Sequence, residues 1–259
     1  MVAETAWLRS TEVAGQERGN LPATQRGVVR LNRAKVTRLL WVAAAIIIGL
    51  GLLREVTLHI IGTETALKDL RHFAFDAEHS LPTWFEALVM AAASALLAIL
   101  AALSSGRDPE NRFHWSLLAV VFLLLSIDEA VAFHETTVAP LRQALNLTTG
   151  FLYFSWVIIA APLLLATGIY FIPFLLRLPR PTAIRFAIAG GLFVAGAFGL
   201  EFVGGYLYSK GGFDYPAYEI AATAEECLEI VGVTLFVSSL LRHLSECAPV
   251  LQIDFQGRV

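Results

Sequence analysis

The sequence predicts an all-α integral membrane bundle of six transmembrane helices, with both termini in the cytoplasm. Three observations carry this reading. Hydrophobic residues make up 56% of the 259 positions and charged residues only 16%, against roughly 25% charged in soluble domains. Several apolar stretches reach the roughly 20 residues that a helix needs to cross a bilayer. Lys and Arg alternate between rich and poor connectors, as they do when successive loops fall on opposite sides of a membrane. The net charge of -3 matters less than this placement. No basic patch with interleaved aromatics points to nucleic acid. Cys227 and Cys247 are separated by about 30 Å of helix and cannot pair, and no Cys/His zinc spacing is present.

Residues 1–36 form a polar, Arg-rich stretch broken by Gly15, Gly19, Pro22 and Gly27. It is expected to be a disordered cytoplasmic tail, without the apolar core of a signal peptide. The transmembrane domain is expected over 37–244. The first span covers 37–61 and ends near Arg54, Glu55 and His59. A polar connector follows, in which Leu67, Leu70, Phe73 and Phe75 suggest a short interfacial helix and Asp76, Glu78 and His79 are expected in solvent. Ser80 reads as an N-cap with Pro82 in the first turn, opening the second span, 82–103. After a charged loop the third span runs over 115–133. The fourth covers 151–176, the fifth 183–208 and the sixth 217–241. Residues 245–259 form a cytoplasmic tail. Arg26, Arg30, Arg33, Lys35 and Arg38 precede the first span, and Arg107, Arg112, Arg177, Arg180 and Arg185 occupy the connectors on the same side. Trp41 and Trp115 fall at the inner interface, Trp84 and Trp156 at the outer, as aromatic belts do.

The sixth span carries the chemistry. Its apolar run after Cys227 is only about 14 residues long, so reaching the roughly 20 of a span draws Glu225, Glu226 and Glu229 into the membrane. Charge at that depth is costly and marks function. Asp128 and Glu129 come late in the outward-running third span, and Glu201 comes late in the outward-running fifth. Glu225, Glu226 and Glu229 come early in the inward-running sixth. Antiparallel helices thus place acids at one height in the outer half. At about 100° per residue Glu225, Glu226 and Glu229 share an arc, and so do Asp128 and Glu135. Glu129 and His134 point elsewhere by the same phase.

So many carboxylates in a low dielectric need compensation. Some share protons, some pair with Arg54, or a cation binds among them. Asp128, Glu129, His134, Glu135, Glu201, Glu225, Glu226 and Glu229 are the candidate ligands of a divalent metal ion, with iron, zinc, manganese or calcium compatible with the donor set. Carboxylate-bridged di-metal bundles have a similar inventory, but their Glu-x-x-His spacing is absent. Each signal has a plainer reading beside it. The acids at the span ends lie in solvent, Glu201 makes a structural hydrogen bond between helices, and Cys227 is a small core residue. No catalytic residue is assigned.

The motif Leu125-Ser126-Ile127-Asp128-Glu129-Ala130, followed by His134-Glu135, combines with Glu225-Glu226-Cys227-Leu228-Glu229. The pair resembles a group of uncharacterised bacterial multispanning inner-membrane proteins. That resemblance implies a bacterial inner-membrane location and no defined reaction. Three functional expectations remain open. The first is a protein with an intramembrane cation or metal site in the periplasmic half, in one form a metal-dependent membrane enzyme. The second is a proton- or cation-coupled transporter. The third is a non-catalytic subunit of a membrane complex. The expected partners are the lipid bilayer and either a second copy or a membrane-complex partner.

Overall fold

The computed structural model describes residues 32–61, 68–75, 77, 79–104, 108–213 and 215–248. Helix is the only regular structure among them. The expected disordered N-terminal tail, Asp76, Glu78 and most of the C-terminal tail lie outside the described residues. The described helices belong to one compact unit, 33–250. Five stretches are long and apolar enough to cross a membrane, and they make this a helical membrane protein.

Helix α1 (Arg33–Ile61) begins the unit. A 3-10 turn, Lys68–Phe73, follows it. Beyond the turn Phe75 does not lie at an interface; it is 2% exposed and packs with Ala44 and Ile230. Gly51 makes room for its ring, because a Cβ there would sit 2.3 Å from the Phe75 Cζ. Helix α2 (Leu81–Leu103) starts at the expected cap, with the Thr83 amide donating to Ser80 Oγ at 3.3 Å. Helix α3 (Pro109–Val131) begins six residues before the expected span. Asp108 accepts the Asn111 amide at 3.1 Å, and Pro109 tolerates the first turn because its missing N–H would have no helical partner there.

Helix α3 ends at Val131, where Ala132 adopts left-handed φ 49, ψ 45. A 3-10 turn, His134–Thr137, and the short helix α4 (Val138–Leu145) follow. Residues 151–156 are turns rather than the start of the fourth span. The Ser155 hydroxyl donates to the Val138 carbonyl at 2.8 Å, and helix α5 (Val157–Arg177) begins only after it. Pro162 and Pro173 sit inside α5, as prolines do in membrane helices when neighbouring groups take up the freed carbonyls. The fifth stretch is continuous but not uniform. It comprises α6 (Arg180–Val194), a π-helical turn (Ala195–Leu200) and α7 (Glu201–Gly211).

Helix α8 (Pro216–Cys247) is the longest and the most central. It packs against α1, α2, α6, the π turn and α7. It is not among the five stretches counted above. The core lies between α2, α3, α5, α6 and α8, around Met90, Leu97, Trp115, Phe174, Val233 and Leu240. Arg33 and Thr37 at the start of α1 line one cavity with Ser239 and Arg242 near the end of α8. Those two ends therefore lie at the same end of the bundle.

Candidate cation centre

The α2–α3 hairpin sets the first part of the site. Two side chains cross it: Ser94 Oγ donates to the Ala119 carbonyl at 2.7 Å, and Ser126 Oγ to the Ala87 carbonyl at 2.8 Å. In a membrane such hydroxyl-to-backbone bonds help fix helix register. Here they bring Glu86, one residue before the bonded carbonyl, within electrostatic reach of Glu129. Glu86 is 0% exposed, and neither carboxylate oxygen has a hydrogen-bond partner among the described residues. Glu225, Glu226 and Glu229 of α8 reach it electrostatically from the other side.

The fifth stretch closes the site through its π turn. Gly196 packs so tightly on α8 that a Cβ would lie 2.8 Å from the Glu225 carbonyl oxygen and 2.8 Å from the Glu229 Cγ. The wider turn also shifts the helical phase just before Glu201. The Trp156 indole N–H donates to Glu201 Oε1 at 2.6 Å, and the Glu201 and Glu225 side chains lie within hydrogen-bonding reach of each other. An ionised carboxylate only accepts, so a bond between two carboxyl groups requires a proton held on one of them.

The third part is built where α3 breaks. Once the chain turns at Ala132, the His134 backbone N–H donates to Asp128 Oδ1 at 2.9 Å, and its ring Nδ1 lies 2.7 Å from Asp128 Oδ2. The ring also sits 4.8 Å from the Trp156 ring. Burial works against a charge on His134. The Asp128 hydrogen bond and charge, with Glu135 and Glu201 adding to them, outweigh that and hold the imidazole above its ordinary value.

The eight expected ligands therefore divide. Glu129, Glu225, Glu226 and Glu229 gather around Glu86. Asp128, His134 and Glu201 form an adjoining group, joined to the first by the Glu201–Glu225 contact. Glu135 is exposed on the 3-10 turn; the phase that placed it beside Asp128 stops where the helix does. Asp128 instead takes His134, which phase had pointed away from it. Arg54 pairs with its neighbour Glu55. The side chain of His59 lies outside the described residues. Among the described residues no three or more His, Cys, Asp or Glu side chains are grouped to hold a metal ion. His134 is bonded to Asp128, and Glu201 contacts Trp156 and Glu225.

Two members of the site escape the sequence reading. Glu86 is a lone carboxylate within Trp84-Phe85-Glu86-Ala87-Leu88, and a single acid in an apolar run was the available signal. Trp156 looks like an interfacial belt residue, and nothing in the sequence marks its N–H as the donor to Glu201.

The family model described as "Domain of unknown function (DUF8692)" matches residues 35–244. That match covers nearly all of the helical bundle, and the chain belongs to this family. No curated protein and no solved structure matches the chain.

Proposed function

We propose that this family member is a six-span membrane protein with both ends on the cytoplasmic side, in a bacterial inner membrane, and that it works through a cation-binding carboxylate centre. In the arrangement described the bound cation is a proton, and the activity is proton-coupled transport. Helix α8 supplies the sixth span despite its glutamates. The ends of α1 and α8 at one end of the bundle agree with an even number of crossings.

The observation that carries the reading is Glu86. A carboxylate at 0% exposure without a hydrogen-bond donor, facing four others, costs several kcal/mol if ionised and alone. It persists when a positive partner neutralises it. The contact between Glu201 and Glu225, one step away, supports the same reading. A resident divalent ion fits this arrangement less well, since His134 and Glu201 are engaged elsewhere and no three-ligand group forms among the described residues. Along α8 the buried Thr234 and then Ser238 and Ser239 lead from the acids towards the cavity at the other end, which gives a coupled carrier a second polar landing.

Infrared titration of the full-length protein in lipid, with metal analysis of the same sample, tests the reading. Carboxylic-acid carbonyl bands are expected at neutral pH, with one lost in Glu86→Gln. Proteoliposomes carrying a trapped pH dye are expected to acidify under an inward-directed potential, and those carrying Glu86→Gln are not. Stoichiometric divalent metal whose chelation shifts the carboxylate bands returns the centre to a metal site and to metal-dependent chemistry. Wild-type protein with neither acid bands nor metal sinks the cation centre altogether.

A further inference from the structure

The other end of the bundle holds a cavity of about 410 Å³ with the opposite charge. Three helices that are distant in sequence contribute to it. Arg33 and Arg38 come from the first turns of α1, Arg185 from the second turn of α6, and Arg242 with Ser238 and Ser239 from the end of α8. Both serine hydroxyls already donate to carbonyls one turn back, at 2.8 Å each, so the arginines, with Thr37, supply the donors that line the space. The Arg242 Nε donates to Glu246 at 3.0 Å, and Glu246 also lies within electrostatic reach of Arg185. Among the described residues, one carboxylate stands against four guanidinium groups, and the cavity is positive. Arg185 Nη1 is buried with no hydrogen-bond partner among the described residues.

Loop arginines that only set membrane orientation have no need to converge or to bury a donor. A buried guanidinium N–H without an acceptor is costly, and it calls for an acceptor that enters the cavity. The volume falls within the usual range for small-molecule sites. Planar guanidinium forks match phosphate oxygens two at a time. We propose that this cavity binds a phosphate-bearing anion, with Arg185 and Arg242 as its principal contacts. The cavity lies where α1 enters the bilayer, so a phospholipid headgroup and a soluble phosphate compound offer the same chemistry there.

The test uses delipidated full-length protein in a neutral detergent. Native mass spectrometry is run with added phosphatidylglycerol or phosphatidylcholine, and inorganic phosphate is titrated calorimetrically. A bound lipid of the anionic class, retained at least tenfold more strongly than phosphatidylcholine, identifies a headgroup. Saturable binding of inorganic phosphate without lipid preference identifies a soluble ligand. In either case Arg185→Gln and Arg242→Gln each weaken binding about tenfold. Arg112→Gln, at the same end of the bundle but outside the cavity, leaves it unchanged. If wild-type protein shows neither lipid preference nor phosphate binding, the proposal is overturned. It is equally overturned if all three variants behave alike, since that is the signature of diffuse surface charge. Thermal melts of each variant identify any that has unfolded, and the wild-type arms decide the matter without them.

Discussion

Glu86 asks what an acid is doing where an apolar residue would fit. It is enclosed on all sides and makes no hydrogen bond among the described residues. Replacing it with Met keeps the volume and removes the polar burden. If the carboxyl group is held for cation binding, Glu86→Met stabilises the protein by about 1–3 kcal/mol while abolishing proton uptake, and a thermal melt beside a dye assay reads both. If the acid is instead glue between helices, the same change lowers the melting temperature. His134 makes a second prediction at this scale. Its folded-state value is raised by Asp128, Glu135 and Glu201 against the pull of burial. The stabilisation it contributes is therefore complete below the ordinary imidazole value of about 6.5 and is lost as pH rises through the higher folded value. Melting temperatures taken from about pH 5.5 to 8.5 should fall with rising pH in the wild type. In Asp128→Asn that slope should flatten, because the carboxylate that favours the charged ring is gone. An unchanged slope would mean that His134 is not the titrating group.

The approach of the fifth stretch to α8 depends on two glycines, one on each side. Gly196 meets the Glu225–Glu229 turn, and Gly232 meets Phe193: a Cβ on Gly232 would lie 2.8 Å from the Phe193 nitrogen and 3.0 Å from the Ala189 carbonyl oxygen. These neighbours are backbone atoms, which cannot swing aside as a flexible side chain would. Gly232→Ala should therefore cost about 1–3 kcal/mol and show as a lower melting temperature. Gly168→Ala, with no atom within 4 Å of the added carbon, serves as the neutral control. The same region marks where sequence reasoning stops. The spans were legible because a long apolar run in a membrane protein has few alternatives, and Ser80 with Pro82 fixed one start correctly. That acids from separate helices approach one another was legible because antiparallel helices and a length limit bring them to a similar level. Which acids meet was not. Angular phase assumes an unbroken α-helix, and it fails at Ala132, where the backbone turns left-handed and hands Asp128 its histidine. It fails again at the π turn, whose extra residue per turn leaves no mark in composition. Glu86 was missed for a different reason: depth arguments singled out acid clusters, whereas its significance lies in the missing hydrogen bonds.

Taken whole, the molecule is polarised along α8. Its glutamates stand towards one end and Arg242 towards the other, about 24 Å further along the helix from Glu226. Acid is concentrated towards one end of the bundle, and base is concentrated at the other, where both described ends of the chain emerge. The positive end is the one that the distribution of Lys and Arg assigns to the cytoplasm. The chain carries its own reporter of this arrangement, because Cys247 is exposed at the end of α8 while Cys227 is half-buried among the acids. A membrane-impermeant maleimide should modify Cys247 in inside-out vesicles and leave it untouched in right-side-out ones, with Cys247→Ser as the blank. In a background lacking both cysteines, Ala34→Cys at the exposed start of α1 should label from the same side as Cys247. Labelling of the two positions from opposite sides would mean an odd number of crossings. It would also mean that α1 and α8 cannot share one cavity, and the charge polarity would then lose its meaning. Labelling of both from the outside would keep the fold and invert the direction, placing the acidic centre in the inner half of the membrane.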